Sequence, residues 1–169
     1  MVDRYFGNRD IEAIRDRYNH AVSEMVDLLN ERSGFYKRIL VPGDTATLLW
    51  RDMCKTGKVG VLTRLKTKVL DHKGSHNLYD PEVSKHVRWE NCKRITRSSP
   101  LLVIDDWALR TSKIQYLTKS FAHFGIDVHF LLLTSARNTQ CENITVVSND
   151  QELLMWLQLK RPTGLYLSV

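Results

Sequence analysis

The sequence predicts an α/β protein with a mostly parallel sheet, and three observations carry that reading. Short apolar runs, Arg38–Val41, Leu101–Asp105 and Val128–Leu133, alternate with stretches of helical periodicity. The second and third of these runs are apolar almost throughout rather than at alternate positions, which is the pattern of strands covered on both faces. The run Leu101-Leu102-Val103-Ile104 also stops on two carboxylates, Asp105 and Asp106. Charges at the carboxyl end of a strand stand where open α/β sheets bind ligands.

The elements follow in order. Ile11, Ile14, Tyr18, Val22, Met25 and Leu29 form one apolar stripe at spacings of three and four, so an N-terminal helix is expected, with Asn8 as its cap and Gly34 after its last turn. Asp10 and Glu12 suit the positive end of that helix. Arg38–Val41 reads as a strand stopped by Pro42, which cannot donate to a ladder, and by Gly43. A helix over Thr45–Lys55 uses Leu48, Leu49 and Met53, and Gly57 closes it before an expected strand Val59–Leu65. Periodicity then fails from Thr67 to Pro100, apart from an irregular strand over Arg88–Thr96 and a packed Trp89.

Regularity returns with the strand Leu101–Asp105. Ser112 is the expected cap of a helix carrying Ile114, Leu117, Phe121 and Phe124 and ended by Gly125. Strands are expected at Asp127–Thr134 and Asn143–Val147. Ser148 with Gln151 spells a capping box for a last helix through Leu153, Leu154, Trp156 and Leu157, and Leu165-Tyr166-Leu167 is an expected edge strand. The organisation expected is a helical segment over 1–34 and an α/β domain over 35–169, with a flap over about 67–100.

At 169 residues and 43% hydrophobic, the chain suits one ordinary core. Its formal charge of +6 is concentrated: between Lys55 and Ser98 stand eleven Lys and Arg against four Asp and Glu, and the remainder is close to neutral. Cys54, Cys92 and Cys141 are odd in number and widely spaced, which argues against a disulfide framework and for a reducing compartment. The start lacks the apolar core of a signal peptide, and no apolar stretch approaches bilayer length. A cytoplasmic protein with no membrane partner is expected.

Candidate chemistry centres on Asp105 and Asp106. Adjacent strand residues point to opposite faces, but a bend at the strand end would let one or both face the crevice above the sheet. Two acids there suit ribose hydroxyls or a metal ion bound to phosphates; the structural alternative is a loop cap paired with Arg110. The basic segment, with His72, His76, His86, Tyr79 and Trp89 interleaved, suits pyrophosphate, a nucleic-acid backbone with aromatic stacking, or plain solvation. His72 and His76 flank Gly74 with no cysteine close by, so no protein-built metal site is expected. Cys54 lies on an apolar helix and reads as core. A P-loop ATPase has the same order of elements, with Thr134-Ser135-Ala136 as a helicase-like strand tip. It requires a lysine after the glycine loop, which Gly43-Asp44-Thr45-Ala46-Thr47-Leu48 lacks, and Thr56-Gly57-Lys58 comes after the helix.

The run Ser99-Pro100-Leu101-Leu102-Val103-Ile104-Asp105-Asp106, followed by the helix and strand containing Phe124-Gly125-Ile126-Asp127-Val128, resembles the core of type I phosphoribosyltransferases. Ile39-Leu40-Val41-Pro42-Gly43-Asp44 is similar to that family's first core strand and pyrophosphate loop, and Val59-Gly60-Val61-Leu62-Thr63-Arg64 to its next strand. The resemblance spans about residues 35–150 and implies a single Rossmann-like domain. It also implies phosphoribosyl pyrophosphate or a nucleotide as ligand, with Mg2+, and transfer of phosphoribose to a nitrogen base. By the same resemblance Asp105 and Asp106 are catalytic, holding ribose hydroxyls and magnesium. Thr111 and Ser112, with Arg110, take the 5′-phosphate, while Gly43, Asp44, Thr45, Arg64, Lys66 and Lys73 take the pyrophosphate. The loop Trp107-Ala108-Leu109-Arg110-Thr111-Ser112-Lys113 departs from the family in having no glycine. The alternative is an inactive relative whose basic flap binds nucleic acid or protein, and a homodimer is a candidate assembly.

Overall fold

A computed structural model describes residues 10–32, 34–42, 44–60, 68–71, 99–108, 111–122, 125–135 and 142–160. Helix α1 (Ile11–Glu31) leads into β1 (Arg38–Val41), α2 (Asp44–Lys55) and β2 (Lys68–Asp71). Then follow β3 (Leu101–Ala108), α3 (Thr111–Ala122), β4 (Val128–Ser135), β5 (Ile144–Ser148) and α4 (Glu152–Leu159). The five strands form one sheet in the order β2-β1-β3-β4-β5, and every neighbouring pair is parallel. The α/β class and the parallel sheet expected from the sequence are what the chain adopts.

The sheet is buried on both faces because its strands alternate between two apolar clusters. Ile39, Val41, Leu102, Ile104, Leu131 and Leu133 face one side, where Tyr18, Val22 and Met25 of α1, Leu49 and Met53 of α2, and Leu153 and Leu157 of α4 cover them. Leu40, Leu101, Val103, Val128, Phe130 and Leu132 face the other, against Ile114, Leu117 and Phe121 of α3. Removing so many aliphatic and aromatic side chains from water is the main favourable term for such a core. Among the described residues, three helices therefore lie on one face and one on the other.

Several boundaries differ from the expected ones. Asn8 lies outside the described residues; α1 is capped by Asp10, whose Oδ1 accepts the backbone N–H of Glu12 at 3.0 Å and of Ala13 at 3.2 Å. Of the expected strand at Val59–Leu65, Val59 and Gly60 are not in a strand and 61–65 lie outside the described residues, while Lys68–Asp71, inside the stretch read as flap, pairs with β1. The reason at 58–60 is local. Asn30 donates from Nδ2 to the Lys58 carbonyl (2.7 Å) and accepts the Gly60 N–H at Oδ1 (3.1 Å), and Thr56 Oγ1 accepts the Lys58 N–H. Those backbone groups are used by side chains, so the segment needs no ladder there.

Ser112 is the second residue of α3 rather than its cap, and Phe124 is outside the described residues. The capping box at α4 is also corrected. Ser148 Oγ accepts the Asp150 N–H and Asp150 Oδ1 accepts the Glu152 N–H, while Gln151 turns elsewhere. The readings at Arg88–Thr96, Trp89 and Leu165–Leu167 fall outside the described residues.

Gly57 holds φ +70 just past α2, and a Cβ built there meets nothing within 4 Å. A substitution at Gly57 would therefore cost backbone strain and no clash. Gly57→Ala should lower unfolding free energy by about 1 kcal/mol in urea titration, the left-handed penalty less the stiffening of the unfolded chain.

Candidate functional site

The strand order reverses direction between β1 and β3. From β1 the chain passes to α2 on one face and on to β2; from β3 it passes to α3 on the other face and on to β4. The two connections diverge, which opens a crevice beyond the carboxyl ends of β1 and β3. Pro42 and the first turn of α2 border it from one side, and the end of β3 with the first turn of α3 from the other. Helix starts carry unpaired N–H groups and partial positive charge, so both walls suit an anion.

Asp105 and Asp106 lie at this crevice, but not at a strand tip. The last β1–β3 pair is Leu40 with Val103, whereas β3 continues against β4 as far as Trp107–Thr134 and Ala108–Ser135. The expected strand end at Asp105 is thus corrected: pairing with β4 holds the chain extended for three more residues. The two acids consequently split between faces. Asp105 follows Leu101 and Val103 toward the α3 side and is 2% exposed, its Oδ1 accepting the Asp106 N–H at 2.9 Å. Asp106 follows Leu102 and Ile104 toward α1, α2 and α4 and is half-buried.

The other expected site residues divide as follows. Asp44 opens α2, with Thr45 next to it and half-buried, and Thr111 and Ser112 open α3. Topology brings these two helix starts and the two acids to one end of the sheet. Gly43, Arg64, Lys66, Lys73 and Arg110 lie outside the described residues. Among the described residues no group of three or more His, Cys, Asp or Glu could hold a metal ion by itself.

Asp106 faces a polar cluster set into the apolar layer. Tyr18, fully buried, donates its hydroxyl to Asp52 Oδ2 at 2.7 Å, and Lys160 Nζ reaches the same oxygen at 2.9 Å while lying 5.0 Å from the Tyr18 ring centre. Burial, the hydrogen bond to Asp52, and the charges of Asp52 and Asp106 hold the Tyr18 hydroxyl protonated far above its usual range. Tyr18 is therefore a neutral donor at any physiological pH.

A second polar group stands at the same edge, at the Thr134-Ser135 tip that the sequence offered only in the P-loop alternative. Among the described residues the buried polar or charged ones are Asp105, Thr134 and Ser135, the last two 0% and 4% exposed; Thr134 and Ser135 end β4, and Asp105 lies on the adjacent strand β3 three residues before its end. The signal was present: Leu131-Leu132-Leu133-Thr134-Ser135 is an apolar run ending in polar residues, like the run before Asp105.

At the opposite end of the sheet, Tyr36 and His129 pair at 2.8 Å through the Tyr36 hydroxyl and Nδ1. Arg32 Nη1 donates to that hydroxyl oxygen at 3.5 Å, which directs the hydroxyl hydrogen to Nδ1 and leaves the imidazole proton on Nε2. Burial, then the Arg32 charge, lowers the His129 pKa, with Asp127 and Glu142 opposing. The unfolded state then binds the proton better. Stability is full above the ordinary value of about 6.5 and falls as pH drops through 6.5 toward the folded value. Urea midpoints taken from pH 8 to pH 5 should show this fall. His129→Asn, which keeps an acceptor near the Nδ1 position without titrating, should flatten it.

No helix among the described residues is long and apolar enough to cross a membrane. No protein-family model matches the chain, and no curated protein matches it. Solved structures do resemble it. A hypoxanthine phosphoribosyltransferase of Trypanosoma cruzi, from work on its C-terminal region, oligomeric state and activity, is 12% identical. The match covers 84% of this chain and 77% of that one, with a TM-score of 0.49. A hypoxanthine-guanine phosphoribosyltransferase from Bacillus anthracis is 12% identical over 79% of each chain, with a TM-score of 0.47.

Proposed function

We propose that this chain binds a phosphorylated ribose ligand, phosphoribosyl pyrophosphate with Mg2+ or a nucleotide, in the crevice between the ends of β1 and β3, and transfers phosphoribose to a nitrogen base there. The observation that carries the reading is the switch point itself, where two helix starts and two acids meet at one end of a parallel sheet. The motif resemblance of residues 35–150 supports the same ligand. In this reading the α3 start, with Thr111 and Ser112 and with Arg110, takes the 5′-phosphate. Gly43, Asp44 and Thr45 at the α2 start, with Arg64, Lys66 and Lys73, take the pyrophosphate.

Mg2+ that arrives on phosphates needs only one or two protein carboxylates. Asp106, half-buried at the crevice, provides a hard oxygen donor of that kind and so fits the ion, while Asp105, sealed on the opposite face, holds the Asp106 backbone N–H. When bound, the ion would neutralise charge growing on the leaving pyrophosphate. Asp106 would hold the ribose hydroxyls and keep the sugar in place. Isothermal titration with phosphoribosyl pyrophosphate and Mg2+ tests the reading: saturable binding is expected, and no heat at millimolar ligand overturns it.

A second reading rests on the charge excess between Lys55 and Ser98. There the protein is an inactive relative that binds a nucleic-acid backbone. Its affinity should then fall steeply as salt rises, in proportion to the phosphates contacted; affinity indifferent to salt, or none, removes it.

A further inference from the structure

At the end of the sheet opposite the crevice, the turn from α1 into β1 leaves a large apolar side chain in water. Phe35 is 55% exposed, and among the described residues it is the one large hydrophobic group so placed. Its pose is fixed from below. The Phe35 N–H donates to the Arg32 carbonyl at 3.0 Å, and Gly34 turns the chain at φ +92. The ring then stands edge-on to buried Tyr36, centroids 5.1 Å apart at 80°, and its centre lies 6.0 Å from that of His129. A ring braced in this way has little freedom left to lose when a flat group stacks on its exposed face.

The surroundings are basic. Arg32 is exposed yet held in place: its Nη1 reaches the Tyr36 hydroxyl and its Nη2 reaches Thr145 Oγ1, both at 3.5 Å. Those acceptors are neutral, and Arg32 pairs with no carboxylate among the described residues, so its charge is not balanced at short range. On the same turn Lys37 is exposed and Arg38 half-buried, and no Asp or Glu occurs from Arg32 to Val41. Asn30 ties the Lys58 carbonyl to the end of α1 at 2.7 Å, which brings exposed Lys58 to the same end of the sheet. Lys58 belongs to the segment Lys55–Ser98 that carries the excess charge of the chain. Asp127 and Glu142 stand close enough to act on His129, which leaves the Arg32 side of the ring for an anion.

We propose that this turn is a binding surface for single-stranded nucleic acid, with a base stacked on Phe35 and the neighbouring phosphates on Arg32, Lys37 and Lys58. An exposed ring beside fixed cations suits an unpaired base, whose face is open, whereas the bases of a duplex are stacked on one another. A free anion would use the cations and leave the ring idle, and an apolar partner would use the ring and leave the cations without counter-charge. The surface lies away from the crevice and does not depend on the phosphoribose reading. It deepens the nucleic-acid reading, and rests on it, by adding a stacking residue to a charge excess.

The test is the fluorescence anisotropy of a short labelled oligothymidylate titrated with the full chain, beside a duplex of the same length. Saturable binding that weakens as salt rises is expected, tighter for the strand than for the duplex. Phe35→Leu, equally apolar but without a ring, should weaken the strand about tenfold, the worth of one stacked base, and Phe35→Trp should keep or raise the affinity. Arg32→Gln should lower the slope of log affinity against log salt by about 0.7, one phosphate contact on a single strand. Phe35 is exposed, so the melting temperature of Phe35→Leu should match that of the unaltered chain, and its loss of affinity is then not a loss of fold. Unchanged affinity in Phe35→Leu, or a duplex bound as tightly as the strand, overturns the stacking role while the backbone reading stands. If the unaltered chain binds no strand, the nucleic-acid reading fails and the role of Phe35 falls with it.

Discussion

Asp52→Ala lowers the stability of the folded chain by about 2 kcal/mol, the scale of stranding one buried hydroxyl, with little added by an ion pair whose lysine is 35% exposed. Asp52 is the single acceptor that joins three helices: Tyr18 from α1 and Lys160 after α4 both end on its Oδ2, and its side chain on α2 is 14% exposed. Truncation strands a phenol hydroxyl that is sealed from water and an ammonium lying near two aromatic rings, Tyr18 at 5.0 Å and Trp156 at 5.7 Å. Lys55, at 3.8 Å and largely exposed, adds little. Urea unfolding of the single and double variants with Tyr18→Phe gives the check. In the Tyr18→Phe background no hydroxyl is left unpaired, so Asp52→Ala should cost about 1–2 kcal/mol less than it does alone. Equal costs in both backgrounds would show that the hydroxyl contributes nothing to the cluster.

The legible parts of the fold were those set by local pattern. The stripe of α1 survives almost whole, since Ile14, Tyr18, Val22, Met25 and Leu29 are all buried, joined by Ala21 and Val26 from the same face. Strand β1 has the expected bounds because Pro42 stops it on chemical grounds alone. What local pattern could not show was decided by distant partners. Lys68-Val69-Leu70-Asp71 has two apolar residues between charged ones, and its place in the sheet comes from pairing with β1. Pairing with β4 likewise carries β3 past its acids. The Ser148–Gln151 box is the converse case. A local motif was present, but Asp150 took the cap and Gln151 found buried acceptors on β4 instead.

The crevice at the switch point was legible in location, and the disposition of its two acids was not. An apolar run ending on two carboxylates marked the right edge of the sheet, and the switch point between β1 and β3 lies there. The period of two then separates what the sequence presents as a pair: continued extension sends one acid into each face. Equal treatment of Asp105 and Asp106 is therefore the step that the fold revises.

Asp106→Asn should weaken phosphoribosyl pyrophosphate with Mg2+ by on the order of ten- to a hundredfold, the worth of one hydrogen bond to a charged group, and leave stability intact. Asp106 is half-buried and its carboxylate acts on the same Tyr18 hydroxyl that Asp52 holds. Two carboxylates acting on one buried phenol repel each other, so removing the charge of Asp106 relieves rather than strains the cluster, and the melting temperature should hold or rise. Asp105→Ala should do the reverse in stability. Asp105 is 2% exposed and its Oδ1 takes the Asp106 N–H, so truncation removes a buried hydrogen bond and costs about 1 kcal/mol. Titration and thermal melts of the two variants side by side decide the matter. Should Asp106→Asn bind the ligand as tightly as the unaltered chain, the crevice would not use this acid, and the β3 carboxylates would be features of folding rather than of ligand recognition.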